Sequence, residues 1–264
     1  MSQSQLQLAG VPRTMVLTTR ARADEDQRSN GLFRDPHAQE WSARLGWNSE
    51  LDSFYSKYTQ AGWAIRADYF DRAVQRRVAR SQNPLIVELG AGLSSRYYRL
   101  QQENLYWINL DLPEVNAIRC QLDRQTENYK FIGASALDFD WMEQLPPRSP
   151  EEMTIVAEGL LMYFDSESVA RLIAQMRKCF PGATFIFDIV GTSYRRPAKK
   201  LEALGAPLQW FVKDIDEVSR MGVEILEARS LFQLNPERWG MMRLLTWLPF
   251  IRSMTLIIET KLKL

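Results

Sequence analysis

The chain has 264 residues, of which 45% are hydrophobic and 25% charged. This is the make-up of a globular protein with a large core and excludes a disordered or fibrous polymer. A formal net charge of +1 gives no overall reason to expect a nucleic acid or a membrane as partner. Two cysteines and one histidine exclude a disulfide framework and any site that needs two imidazoles.

The opening MSQSQLQLAG has neither the basic flank nor the apolar centre of a signal peptide, and no apolar run is long enough to span a bilayer. A cytoplasmic protein without a membrane anchor is therefore expected. Residues 1–83 read as a mostly helical cap, and residues 84–264 as one larger α/β domain with an insertion at about 191–213. Within the cap, Asp35 followed by Pro36 marks a helix start. Asp52 to Arg80 carries Trp63, Ile65, Tyr69, Phe70, Val74 and Val78 at helical spacing, with Arg66 among them. His37, beside Asp35 and Pro36, reads as structural rather than catalytic.

From Pro84 the chain alternates strands and helices, the pattern of a parallel sheet with helices on both faces. The spacing predicts strands at LIVELG (85–90), YWINL (106–110), YKFIGAS (129–135), MTIVAEGLL (153–161) and ATFIFDIV (183–190). Two more, GVEILEAR (222–229) and MTLIIETKLKL (254–264), complete a seven-stranded sheet that ends in an antiparallel strand. Helices are expected after Pro113, from Asp165 or Ser166 to Phe180, and from Asp214 to Met221. The RRPAKK cluster within 191–211 suggests an exposed excursion over the sheet edge. The methionine- and tryptophan-rich stretch from Trp239 to Leu248 fits either core or the wall of a substrate pocket.

The stretch LIVELGAGLSSR (85–96) carries the chemistry. A buried strand runs into a turn holding Glu88, Gly90 and Gly92, where glycine lets backbone approach a ligand, and Ser94 or Ser95 is placed to cap the next helix. Asp111 lies 21 residues beyond Gly90 at the end of the second strand, where an acid can accept hydrogen bonds from ribose hydroxyls. Together they point to a nucleoside-bearing cofactor. Ser95 stands where the dinucleotide fingerprint has its third glycine, which argues against NAD. Ligands of open parallel sheets lie beyond the carboxyl ends of the strands. Glu88, Asp111, Ser135, Glu158 and Asp188 all fall on that edge.

The Glu88-x-Gly90-x-Gly92 form resembles the first motif of class I methyltransferases, which bind S-adenosylmethionine. From about Thr14 to Val223 the chain resembles the leucine carboxyl methyltransferase-like family, in its branch of bacterial tetracenomycin-type polyketide O-methyltransferases. The matching pieces are TMVLTTRARADE (14–25), LFRDPHA (32–38), AIRADYFDRAV (64–74), ELGAGLSSRYYRL (88–100), INLDLPEVNAIR (108–119), ASALDFDW (134–141), AEGLLMYF (157–164) and FPGATFIFD (180–188). The resemblance implies a Rossmann-like class I methyltransferase fold and S-adenosylmethionine as cofactor. It implies that Arg66 pairs with the cofactor's carboxylate, that Gly90 and Ala91 lie against its methionine moiety, and that Asp111 holds the ribose with Leu112 against the adenine. Ser135 and Ala136 would border the adenine, Glu158 would accept from the amino group, Tyr163 would close over the methyl donor, and Arg22 would face the acceptor or the methionine end. Where the family has Gly-x-Asp-Thr-Arg, this chain reads Gly92-Leu93-Ser94-Ser95-Arg96, so a negative charge near the acceptor channel is missing.

Methyl transfer from a sulfonium needs positioning more than acid–base help. A carboxylate acceptor is ionised at neutral pH and needs no base, whereas a phenol does. The single histidine points toward a carboxyl O-methyltransferase acting on a small secondary metabolite, as monomer or homodimer, although a Tyr, Asp or Glu could serve as base for a phenol instead. Two other readings stand beside it. One is an enzyme of the same fold that cyclises S-adenosylmethionine to azetidine-2-carboxylate and methylthioadenosine; the other is a cofactor-binding protein without catalysis.

Overall fold

The computed structural model describes residues 12–263 apart from 101, 103 and 203, so the opening MSQSQLQLAG lies outside the described residues. Seven strands form one sheet: β1 (Leu85–Leu89), β2 (Tyr106–Asp111), β3 (Tyr129–Gly133), β4 (Met153–Ala157), β5 (Thr184–Val190), β6 (Val223–Ser230) and β7 (Thr255–Leu262), in the order β3-β2-β1-β4-β5-β7-β6. Neighbours among β1 to β5 are parallel, and β7 runs antiparallel to both β5 and β6. The expected mixed seven-stranded architecture is therefore the observed one.

Strand β1 is central because every one of its residues is buried. Leu85, Val87 and Leu89 point to one face of the sheet, where they meet Val169, Leu172, Ile173 and Met176 of a helix, Ser166–Cys179. Ile86 points to the other face, into a cluster with Ile65, Phe70, Ala73 and Val74 of a second helix, Lys57–Val78. This two-faced burial explains why the strand reads as a continuous apolar run. Each of the larger of these side chains contributes about 1.5–3 kcal/mol on leaving water.

In chain order the helices are α1 (Pro12–Asp26), α2 (Pro36–Leu45), α3 (Lys57–Val78), α4 (Arg96–Arg99), α5 (Pro113–Leu122), α6 (Ser166–Cys179), α7 (Arg195–Glu202), α8 (Ile215–Ser219) and α9 (Pro249–Arg252). Asp35 caps α2 by accepting from the Ala38 amide at 3.0 Å, with Pro36 in the first turn, as its sequence position suggests. His37 stacks on Tyr98 with ring centroids 3.8 Å apart, a packing role.

Several boundaries move. The helix expected over 52–80 splits: a short 3-10 turn spans Ser49–Phe54, and Ser56 with Thr59 forms a capping box that restarts the chain as α3. Strand β4 stops at Ala157 rather than at 161, because Gly159 takes a positive φ of 66° and Leu161–Tyr163 forms a 3-10 turn. Strand β3 ends at Gly133. At the start of α4, Ser94 Oγ accepts from the Arg96 amide at 3.4 Å, whereas Ser95 makes no capping bond because its Oγ donates to Asp35 Oδ2 at 2.6 Å.

The chain leaves β1 outward through β2 to β3, then crosses back to place β4 on the other side of β1. A crevice opens where the direction of winding reverses, beyond the carboxyl ends of β1 and β4.

Candidate active site

A cavity of about 660 Å³ occupies that crevice, a size typical of sites for small organic ligands. Its polar half is lined by Arg22, Arg66, Glu88, Gly90, Ala91, Asp111, Leu112, Glu158, Tyr163 and Asp188. Its apolar half carries Phe54, Tyr58, Trp63, Phe232, Trp239 and Met242.

The bend after β1 is shaped by Gly90, whose φ of 60° suits glycine. A Cβ there would meet Leu160 Cδ1 at 2.6 Å. Asp111, at the end of β2, ties the bend down: Oδ2 accepts from the Gly92 amide at 2.6 Å and Oδ1 from the Leu112 amide at 2.8 Å. Burial pushes the Asp111 carboxyl up, against the pull of those two amides. Each of its oxygens keeps a second lone pair for a ligand hydroxyl.

A buried ionic lattice underlies the bend. Arg66, on α3, donates from Nε to Glu158 Oε1 at 2.9 Å and from Nη1 to Asp188 Oδ2 at 3.1 Å. Asp188, at the end of β5, also accepts from the Gly159 amide at 2.6 Å. Arg96, in the short α4, donates to Asp71 Oδ1 at 2.7 Å and also pairs with Glu88 and Glu158. Arg99 spans Asp71 and Asp35, each at 2.6 Å. Arg22 donates from Nη2 to Leu93 O at 2.6 Å. Its Nε stands 3.5 Å from Asp35 without closing a hydrogen bond.

Burial opposes ionisation of Glu158, yet Arg66 and Arg96 outweigh it and hold the carboxyl down to about 2. Glu88 behaves oppositely. Burial pushes it up despite Arg96, and its Oε2 has no hydrogen-bond partner among the described residues. Asp188 is likewise pushed up by burial, against Arg66. Arg66 rises because Asp188 and Glu158 overcome its desolvation, while burial lowers Arg22 to about 10 in spite of Asp35. Four arginines thus face five carboxylates, Asp35, Asp71, Glu88, Glu158 and Asp188. With every group ionised, one negative charge is in surplus.

Of the cofactor-binding and catalytic residues expected from the sequence, Ser135 and Ala136 are absent from the cavity wall. They lie in the loop after β3, where Ser135 Oγ accepts from the Leu137 amide at 3.2 Å and Ala136 O from the Trp141 indole at 3.2 Å. No sequence motif assigns a role to Arg96, Arg99 or Asp71. The available signal was Arg96 eight residues after Glu88, at the foot of a helix too short to show a period. The stretch from Trp239 to Leu248 is divided. Trp239 and Met242 line the cavity, whereas Met241, Leu244, Leu245 and Trp247 are exposed.

The residues present suit a cationic nucleoside such as S-adenosylmethionine. The unpaired oxygen of Glu88 and the surplus negative charge call for a positive group, and the glycine bend leaves room at the backbone. Sheet order, switch-point crevice and polar lining are those of a class I S-adenosylmethionine-dependent methyltransferase. Residues 14–177 match the family model described as leucine carboxyl methyltransferase, and the chain belongs to that family.

Among relatives, the chain is 26% identical over 241 residues to the tetracenomycin polyketide synthesis O-methyltransferase TcmP of Streptomyces glaucescens, covering 90% of this chain and 85% of that one. It is 22% identical over 244 residues to the S-adenosyl-L-methionine-dependent methyltransferase dpfgK of Gibberella zeae, covering 83% and 80%. In fold it is similar to an S-adenosylmethionine-dependent methyltransferase from Mesorhizobium loti, with a TM-score of 0.53 and 18% identity over 74% of this chain and 97% of that one. The [4+2]-cyclase SpnF gives a TM-score of 0.53 and 13% identity over 99% of both chains. The protein is an S-adenosylmethionine-dependent methyltransferase. Among the described residues, no helix is long and apolar enough to cross a membrane.

Proposed function

We propose that this enzyme methylates a carboxylate oxygen of a small, largely apolar secondary metabolite. The observation that carries the reading is the composition of the cavity wall, which has an apolar acceptor half and no histidine. Burial pushes both Tyr163 and Tyr194 up from the ordinary phenol range. His37, packed on Tyr98, is not on the wall. A carboxylate needs no proton removed at neutral pH, whereas a phenol would require a base.

Bound S-adenosylmethionine would supply an electrophilic methyl carbon with a neutral thioether as leaving group. The chain's residues do the positioning. Arg66 would hold the cofactor's carboxylate, Glu158 and the free oxygen of Glu88 its amino end, Gly90 and Ala91 the methionine chain, and Asp111 the ribose beside Leu112. Ser135 and Ala136 would border the adenine only from behind the wall, and Tyr163 would close over the donor. Arg22, a cation on the cavity wall, would attract the acceptor carboxylate. Holding two reactants in line can lower the barrier by about 7–11 kcal/mol. In this reading residues 1–83 cap a catalytic domain of residues 84–264, and the enzyme works in the cytoplasm on a small molecule, as monomer or homodimer.

A mass-spectrometric screen of metabolite carboxylates and phenols, with a cofactor-only control, tests the proposal. S-adenosylhomocysteine and a methyl ester should form only with a carboxylate present. Turnover of phenols alone would overturn the acceptor class. Methylthioadenosine from cofactor alone would establish the cyclase reading, and cofactor binding without any product would establish the non-catalytic one.

A further inference from the structure

Two segments of unlike chemistry border the cavity and touch each other. Residues 191–202 contain α7, on which Arg195, Arg196, Lys199 and Lys200 are exposed. Residues 239–254 expose Met241 (81%), Leu244, Leu245, Trp247 (69%) and Phe250. The Gly191 amide donates to Met254 O at 3.0 Å, and the hydroxyls of Ser193 and Ser253 lie 3.3 Å apart. Lys200 and Leu201 line the same cavity as Met242 and Ile251.

Scattered apolar side chains are ordinary on a surface, but five large ones within ten residues form a patch that water penalises. Its charge is as uneven as its polarity. The two segments together hold six cations, Arg243 and Arg252 included, and one acid, Glu202. Since the whole chain nets +1, the other residues net −4. The balanced total therefore conceals a cationic rim.

We propose that this rim is a docking face for a bilayer bearing anionic phospholipids. The patch stands on its own exposure and charge and does not depend on the acceptor chemistry above. Exposed Trp and Phe beside Leu and Met, flanked by Arg and Lys, is the combination that enters the headgroup boundary of an anionic membrane. A second copy of the chain fits less well, because a two-fold contact would set one cationic rim against another. An acidic protein would meet the charge, but lysines are depleted at protein interfaces and this rim carries two. Docked here, the cavity that both segments line would face the membrane.

Vesicle co-sedimentation of the full chain, without acceptor, tests the proposal. The protein should partition into phosphatidylcholine vesicles containing phosphatidylglycerol at least about tenfold better than into phosphatidylcholine alone. The preference should vanish in about 0.5 M salt, where screening shortens to about 4 Å. Trp247→Ser and Phe250→Ser, neither on the cavity wall, should each lower partitioning about tenfold. Lys199→Glu combined with Arg243→Glu should remove the lipid preference. An unchanged affinity for S-adenosylmethionine shows that these variants are folded. Equal partitioning into both vesicle types, or indifference to Trp247→Ser, overturns the proposal. A dimer in sedimentation velocity that Trp247→Ser dissolves assigns the patch to a second copy and overturns it too. So does retention on polyglutamate with no vesicle partitioning, which would assign the rim to an acidic protein.

Discussion

Arg66 Nε donates to Glu158 Oε1 at 2.9 Å across 92 residues of sequence, joining α3 to the turn after β4. Glu158 also pairs with Arg96, whereas among the described residues the buried Asp188 has only this guanidinium as cationic partner. Arg66→Ala would leave Asp188 without that partner, so a loss of about 3 kcal/mol in urea denaturation is expected. Affinity for S-adenosylmethionine, read by calorimetry, should fall at least about a hundredfold. Arg66→Lys should recover part of the stability and little of the affinity, since an ammonium cannot reproduce the forked geometry.

Glu158 links this lattice to pH. Its carboxyl is held at about 2 against an ordinary value of 4.5. A folded-state pKa below the unfolded one contributes stability that is fully present above 4.5 and is lost as pH falls through about 2. Glu158→Gln should therefore cost on the order of 2–3 kcal/mol at pH 7. Near pH 2 it should cost much less. Chemical denaturation across that range checks it, and a pH-independent difference would contradict the assignment.

Glu88 has the opposite sign. Burial raises its carboxyl, so protonation on acidification relieves a cost in the free protein, whereas a bound cation favours the ionised form. Affinity for S-adenosylmethionine should rise with pH through this raised pKa, and binding should release protons. Calorimetry in buffers of different ionisation enthalpy measures that release, which Glu88→Gln should diminish. Proton uptake on binding would refute the placement of positive charge beside Glu88.

Gly159 has a φ of 66°, and a Cβ there would lie 2.9 Å from Arg66 Nη2. Gly159→Ala should lose about 1–2 kcal/mol of stability from backbone strain and also weaken cofactor binding by displacing the guanidinium. Gly182→Ala is the control. Its φ is 96°, but the nearest atoms to a new Cβ are 3.8 Å away, so stability should fall while affinity holds.

Tyr163 lines the cavity with its hydroxyl pushed to higher pKa by burial. Tyr163→Phe should change kcat by less than about tenfold and leave the pH–rate profile in place, because a true general base contributes about 10²–10⁴. A larger loss would bring back a base-dependent acceptor.

The sheet was legible in the sequence because its strands are short apolar runs broken by Gly, Pro and Asp, and periodicity reports such runs directly. Glu88, Gly90, Asp111 and Glu158 could be placed on one edge because each closes a strand. The arginines were harder. Arg96 and Arg99 sit on a helix of four residues, and their partners Asp35 and Asp71 come from the preceding helices, so no local pattern pairs them. The apolar pattern overextends β4 because Gly-Leu-Leu continues its run. Only a positive φ at Gly159, which composition does not reveal, ends it.

Asp35 joins the two halves of the chain at a single carboxyl group. It begins α2, accepts from Ser95 and neutralises Arg99, while Asp71 on α3 neutralises Arg96 and Arg99 together. A fragment starting at residue 84 would thus carry bare guanidinium groups into its interior, and attempts to express the sheet half by itself should yield insoluble chain. The cap helices are the source of the counter-ions without which the short helix beside the sheet edge could not be buried.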